Sequence, residues 1–128
     1  MIKDSRQCQI EINVHTQYLE EHSRPEKKQF TFGYTITITN TSKQPVKLLS
    51  RHWIITDSNN NVQEVRGDGV IGEQPLIVPG KSYTYSSGAV LKTEMGSMEG
   101  SYQMQNPDGS IFDANIAVFS LHKPGLLH

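Results

Sequence analysis

The sequence predicts an all-β antiparallel β-sandwich of the immunoglobulin or fibronectin type III kind, with seven to eight strands. Three observations carry that. The 128-residue chain holds 11 Ile, 8 Val and 9 Thr against 3 Ala, a bias toward pleated surfaces. Its apolar residues recur with period two rather than 3.6. Clusters of Asn, Pro and Gly punctuate it at roughly 8–12-residue spacing.

Ile10, Ile12, Val14 and Tyr18 alternate with Glu11, Asn13, His15 and Gln17, the pattern of a strand with one dry face and one wet face. Leu19 to Gln29 carries Glu20, Glu21, Arg24, Glu26, Lys27 and Lys28 around Pro25 and is expected as an exposed loop. Phe30, Phe32, Tyr34, Ile36 and Ile38 then alternate with Thr31, Thr35, Thr37 and Thr39. The cluster 40–45 turns the chain into a third strand, Val46 to Asp57, bulged where the apolar phase slips at Leu48-Leu49. Ser58-Asn59-Asn60-Asn61 tolerate positive φ, so Val62 to Arg66 should return as a hairpin partner. Pro79-Gly80 precedes Tyr83 and Tyr85, which alternate with Ser82, Thr84 and Ser86. Leu91, Met95, Met98 and Tyr102 make a helical stripe, but Gly88, Gly96 and Gly100 would each cost about 1 kcal/mol in a helix interior. Loop and strand are therefore expected there. Asn106-Pro107-Asp108-Gly109 closes a last hairpin whose return strand is Ile111 to Leu121.

This length suits a single domain spanning 1–128, with 1–8 and 122–128 expected as loose termini. Twelve basic and thirteen acidic residues leave a net charge of −1. That balance gives no basic footprint for nucleic acid or an anionic membrane, and no apolar run is long enough to span a bilayer. A lone Cys8 and an opening stretch without an apolar core make a reducing cytoplasm the expected compartment.

Gly67-Asp68-Gly69-Val70-Ile71-Gly72 spells G-x-G-x-x-G, yet Pro75 and Pro79 follow too closely for the helix that grips pyrophosphate in dinucleotide-binding folds. Two readings remain. One is a sharply bent connector whose glycines take φ values closed to other residues. The other is an anion-holding nest of backbone N–H groups at Gly67, Gly69 and Gly72, with Arg66 beside it as the charge partner. Asp57-Ser58-Asn59-Asn60-Asn61 resembles the opening of a calcium loop, but Val62 stands where that loop needs glycine, and a plain hairpin turn is expected. His15, His22, His52, His122 and His128 show no metal-ligand spacing, although a fold could complete a site with Glu64 or Asp113. No metal ligand is therefore assigned. Ser86-Ser87-Gly88 and Cys8 lack the setting of a nucleophile, so no catalytic residue and no cofactor are assigned. Arg51-His52-Trp53 could stack on an aromatic ligand or a partner. The alternative is a core tryptophan with Arg51 and His52 along its rim.

Arg51-His52-Trp53-Ile54-Ile55-Thr56-Asp57, Val65 through Pro75, Pro79-Gly80, Tyr85-Ser86-Ser87-Gly88, Met98 through Met104 and Phe112-Asp113 resemble the ApaG family in order and spacing. The resemblance implies a bacterial cytoplasmic protein with a fibronectin III-like sandwich and no established enzymatic activity. It further implies an association with cobalt and magnesium resistance or efflux, and use of the same domain as an interaction module in eukaryotic F-box and polymerase-interacting proteins. Nucleotide or pyrophosphate binding at Gly67, Gly69 and Gly72 is the family's suggested ligand chemistry. One departure stands out: Ile116-Ala117-Val118-Phe119 replaces the family's usual Ile-Pro, which puts the pairing of the last strand in doubt.

The reading that follows is a non-enzymatic binding module acting through protein–protein contact, with Arg51, His52 and Trp53 as partner-binding residues. Arg66, Gly67, Gly69 and Gly72 form the alternative phosphate site. The expected partners are an unidentified protein, a second copy of the chain, or a phosphate-containing small molecule, with neither nucleic acid nor membrane.

Overall fold

The structure, a computed structural model, describes residues 9–125; Cys8, the rest of segment 1–8, and residues 126–128 lie outside the described residues. Eight strands run in chain order: β1 (Ile10–Tyr18), β2 (Phe30–Asn40), β3 (Val46–Asp57), β4 (Val62–Asp68), β5 (Leu76–Ile77), β6 (Ser82–Leu91), β7 (Met95–Gln105) and β8 (Ile111–His122). They form the expected antiparallel sandwich. One sheet has the order β1-β2-β6, the other β4-β3-β7-β8 with the short β5 also on β3. The charged connector after β1 folds as two single 3-10 turns, Glu20–His22 and Pro25–Lys27, with no buried residue.

Period two decides the packing. Along β2 the burial alternates strictly, with Phe30, Phe32, Tyr34, Ile36 and Ile38 facing inward. Across the gap, Trp53 and Ile55 of β3, Met98, Tyr102 and Met104 of β7, and Phe112, Ala114 and Ile116 of β8 complete one core. Trp53 is 2% exposed and meets Tyr34 of the opposite sheet edge-on at 5.5 Å between ring centroids. Tyr102 at 6.2 Å and Phe119 at 5.9 Å close around it in T-shaped contacts. Such pairs add roughly 0.5–1.5 kcal/mol each beyond area burial.

The expected bulge in β3 is present as a register shift between Leu48 and Ser50. Asn60 takes φ 64 in the β3–β4 turn, and Asp57 Oδ1 accepts the N–H groups of Asn59 and Asn61 at 2.8 and 3.0 Å. Burial pushes the Asp57 carboxyl up, but those N–H donors and nearby Lys92 outweigh it and leave the group below its ordinary value. The carboxylate thus caps a hairpin turn. Gly109 closes the last turn at φ 88. The last strand pairs throughout, with one irregularity where Ala117 and Val118 lie between the pairs Met98–Phe119 and Gly100–Ile116. Two boundaries differ from the expected ones. β4 continues through Gly67 to Asp68, because the ladder with β3 persists to Ser50. His122 is not part of a loose tail, since it pairs with Met95 inside the sheet.

The Tyr85 and Tyr102 hydroxyls bond to each other across the two sheets in the core. Burial pushes the Tyr85 hydroxyl up to about 12, although the bond to Tyr102 pulls the other way. Tyr102 is raised further, by burial and then by Tyr85. Both are ordinary tyrosines near 10 once unfolded. The unfolded chain therefore loses these protons first, so their contribution is intact below pH 10, and that of Tyr85 is lost as pH rises through 12. We expect the free energy of unfolding to fall steeply across that interval, by on the order of 2–3 kcal/mol from Tyr85 alone. Tyr85→Phe should blunt the fall in urea titrations.

Candidate functional site

Hairpin pairing brings the two sequence-predicted clusters together. With the β3–β4 turn closed between Asp57 and Asn61, Arg51 falls opposite Gly67 and His52 opposite Arg66. These four residues line one open cleft of about 470 Å³ with Ser50, Asp68 and Gln103. Trp53 does not join them. It shares the inward phase of β3 and lies in the core, so the core reading describes it, and of the three residues only Arg51 and His52 reach the cleft.

Arg51 also has the inward phase, but it stands beyond the closed core and turns its guanidinium over Gly67. A Cβ at Gly67 would lie 2.8 Å from Arg51 Cζ, Nη1 and Nη2. From there Nη1 donates to the carbonyls of Asp68 at 3.2 Å and Gly69 at 2.9 Å. The expected charge partner of the glycine segment, Arg66, is engaged elsewhere. Its Nη2 bonds Glu64 Oε1 at 3.0 Å on the outer face, and the same oxygen meets His52 Nε2 at 2.7 Å. The His52 bond, then the Arg66 charge, holds the Glu64 carboxyl below its ordinary value. Its contribution is present above that range and lost in acid as the carboxylate is protonated. Arg51, absent from the anion-site reading, is the cation that the glycine segment holds.

The rest of the segment is a tight turn. Val70 is fully buried and exchanges both backbone bonds with Glu73, at 2.8 and 3.0 Å. Ile71 at φ 49 and Gly72 at φ 76 lie between them, the signature of a type I′ turn. Gly69 has φ +59, and a Cβ there would sit 2.0 Å from Glu73 O. Its N–H is donated to Leu49 O at 2.7 Å. Gln74 Nε2 reaches the same carbonyl at 2.8 Å, and Tyr83 donates to Glu73 Oε2 at 2.9 Å from the other sheet. The bent-connector reading thus describes this segment, in a rigid form: the amides of Gly69 and Val70 have internal acceptors, and the carbonyls face a resident guanidinium. Burial and the Glu73 carboxylate push the Tyr83 hydroxyl up.

Sequence reasoning missed Ile71. A β-branched residue in the left-handed region is strained by its own Cβ, and this one is 61% exposed. Two-residue turns normally place Asn, Asp or Gly there, so nothing in the local sequence signals it. Among the described residues no group of three or more His, Cys, Asp or Glu lies together as a metal set. No helix among the described residues is long and apolar enough to cross a membrane.

Comparison with known proteins agrees with this architecture. The ApaG domain model matches residues 20–106. Protein ApaG of Pseudomonas aeruginosa (strain LESB58) is 58% identical over 122 residues, covering 95% of this chain and 97% of that protein. Protein ApaG of Pseudomonas syringae pv. tomato is 54% identical over 127 residues, 99% of this chain and 100% of its own length. The crystal structure of a putative ApaA protein from Bordetella pertussis superposes with a TM-score of 0.88 at 45% identity, covering 91% of this chain and 94% of that one. With the domain model spanning most of the sandwich and relatives aligned nearly end to end, the chain belongs to the ApaG family.

Proposed function

We propose that this protein is a non-enzymatic module that docks a protein partner through the rigid turn Val70–Glu73 and the Arg51–His52 cleft beside it. The observation that carries the reading is Ile71. Folding gains nothing from a branched aliphatic that is both strained and largely exposed, whereas a partner that buries it gains an apolar anchor held in place before binding. The clamps described above from Arg51, Gln74 and Tyr83 supply that rigidity. Beside the anchor, His52, Glu64 and Arg66 form a polar rim of the kind that surrounds binding hot spots. Cobalt and magnesium efflux, the process the family resemblance implies, is on this reading influenced through the partner rather than by metal ions held on this chain.

Ile71→Asn separates docking from folding. Removing the strain should leave the protein as stable or raise its stability by about 0.5–1 kcal/mol, while the anchor is lost. A photo-crosslinking residue placed at position 71 should trap a discrete adduct in cells. The same residue at Thr31, on the other sheet, should not. Equal labelling at both positions, or none at position 71, would sink the proposal.

A further inference from the structure

We infer that the free edge of β6 is a self-pairing strand, through which two copies join their three-stranded sheets into one six-stranded sheet. Among the described residues there are four main edge strands, β1 and β6 in one sheet, β4 and β8 in the other. Edges left open invite another strand unless charge, proline, a bulge or a covering element blunts them. β1 carries Glu11 in its outward row, β4 carries Glu64, Arg66 and Asp68, and β8 carries Asp113 and an irregular register. β6 has none of these devices. Its ten residues, Ser82 to Leu91, include no charge and no proline, and its register with β2 is unbroken from Ser82–Thr39 to Leu91–Phe30. Among the described strands it pairs only with β2, so alternate N–H and C=O groups of its backbone point away from the sheet.

The chemistry of this edge selects a second copy of the chain. On its outer face, hydroxyls form rungs with β2: Thr39–Ser82 at 2.7 Å, Thr37–Thr84 at 3.1 Å and Thr35–Ser86 at 2.8 Å. A hydroxyl both donates and accepts, so it can bond its own symmetry mate, which a charged group cannot. Antiparallel pairing with Thr84 on the two-fold axis sets Thr84 against Thr84 of the other copy and Ser82 against Ser86. Tyr83 then meets Tyr85 on the inner face, and the rungs continue across the new strand pair. The flanking Lys81 would face Ser87 of the second copy, so no like charges meet. Six strands is an ordinary sheet size. The edge lies on the opposite sheet from Arg51 and His52, and the inference does not depend on the docking turn.

Sedimentation equilibrium of the full chain from micromolar to millimolar concentration tests it. The mass should rise from 14.4 kDa toward twice that value. Thr84→Lys places two ammonium groups face to face at the axis and should weaken association more than about tenfold, with Glu11→Lys on β1 as the unaffected comparison. Thr84→Cys in a Cys8→Ser background should cross-link to itself on mild oxidation, and Asn13→Cys should not. Circular dichroism confirms that each variant is folded. A monomer at millimolar concentration overturns the inference. So does a dimer indifferent to Thr84→Lys, or one cross-linked at position 13 instead of 84.

Discussion

Trp53→Ala should destabilise the protein by about 3–5 kcal/mol, the usual cost of deleting a large aromatic from a packed core. The indole is 2% exposed and lies between the sheets, touching Tyr34 on one side and Tyr102 and Phe119 on the other. Because rings from both sheets wall the indole, the surrounding structure can collapse only partly into the void. At this chain length the melting temperature should fall by roughly 10 °C or more, and Trp53→Phe should recover much of the loss. A tryptophan whose purpose was to stack on a ligand would behave in the opposite way, losing binding while the melting curve stayed in place. Thermal melts of the two variants decide between these outcomes.

The strands were legible because each buries one face and wets the other. Phe30 to Ile38 and Ile10 to Tyr18 need only period two to be recognised, and the bulge at Leu48-Leu49 shows as a slip in that period. The helical stripe Leu91–Tyr102 misleads for a physical reason. Leu91, Met98 and Tyr102 all reach the core, but from two strands on opposite sheets joined by a turn. Half of the candidate site was also within reach. Once the Asp57–Asn61 turn is accepted, counting equal steps from it in both directions sets Arg51 against Gly67 and His52 against Arg66. What the sequence could not yield was the competition for charge. Two arginines flank the glycine segment, and only the strand phase tells that Arg66 faces outward to Glu64 while Arg51 turns inward to the carbonyls. The strain at Ile71 was hidden for a related reason. It is imposed by bonds between Val70 and Glu73, and Val70 is anchored by the core rather than by local propensity.

The glycine segment offers the second large effect, and it lies in the rank order of two neighbouring substitutions. Gly69→Ala meets two obstacles at once. Its φ of +59 is costly for any side chain, and the new Cβ would fall 2.0 Å from the Glu73 carbonyl oxygen, which is backbone held in the turn. Relieving that contact means opening the Val70–Glu73 bonds or releasing Gly69 N–H from Leu49 O, so a loss of about 3 kcal/mol is expected. Gly67→Ala meets only the far end of Arg51, a flexible side chain, at 2.8 Å. The guanidinium can slide off, so stability should fall by less than about 1 kcal/mol, comparable to one exposed hydrogen bond. If the glycines also admitted a phosphate, pyrophosphate would stabilise the unsubstituted protein and both substitutions would abolish that increment on top of these costs. Urea denaturation of the two variants, with pyrophosphate present and absent, distinguishes the cases. A Gly67→Ala protein that is destabilised more than Gly69→Ala would show that Arg51 is fixed more firmly than its single guanidinium contacts with two carbonyls imply.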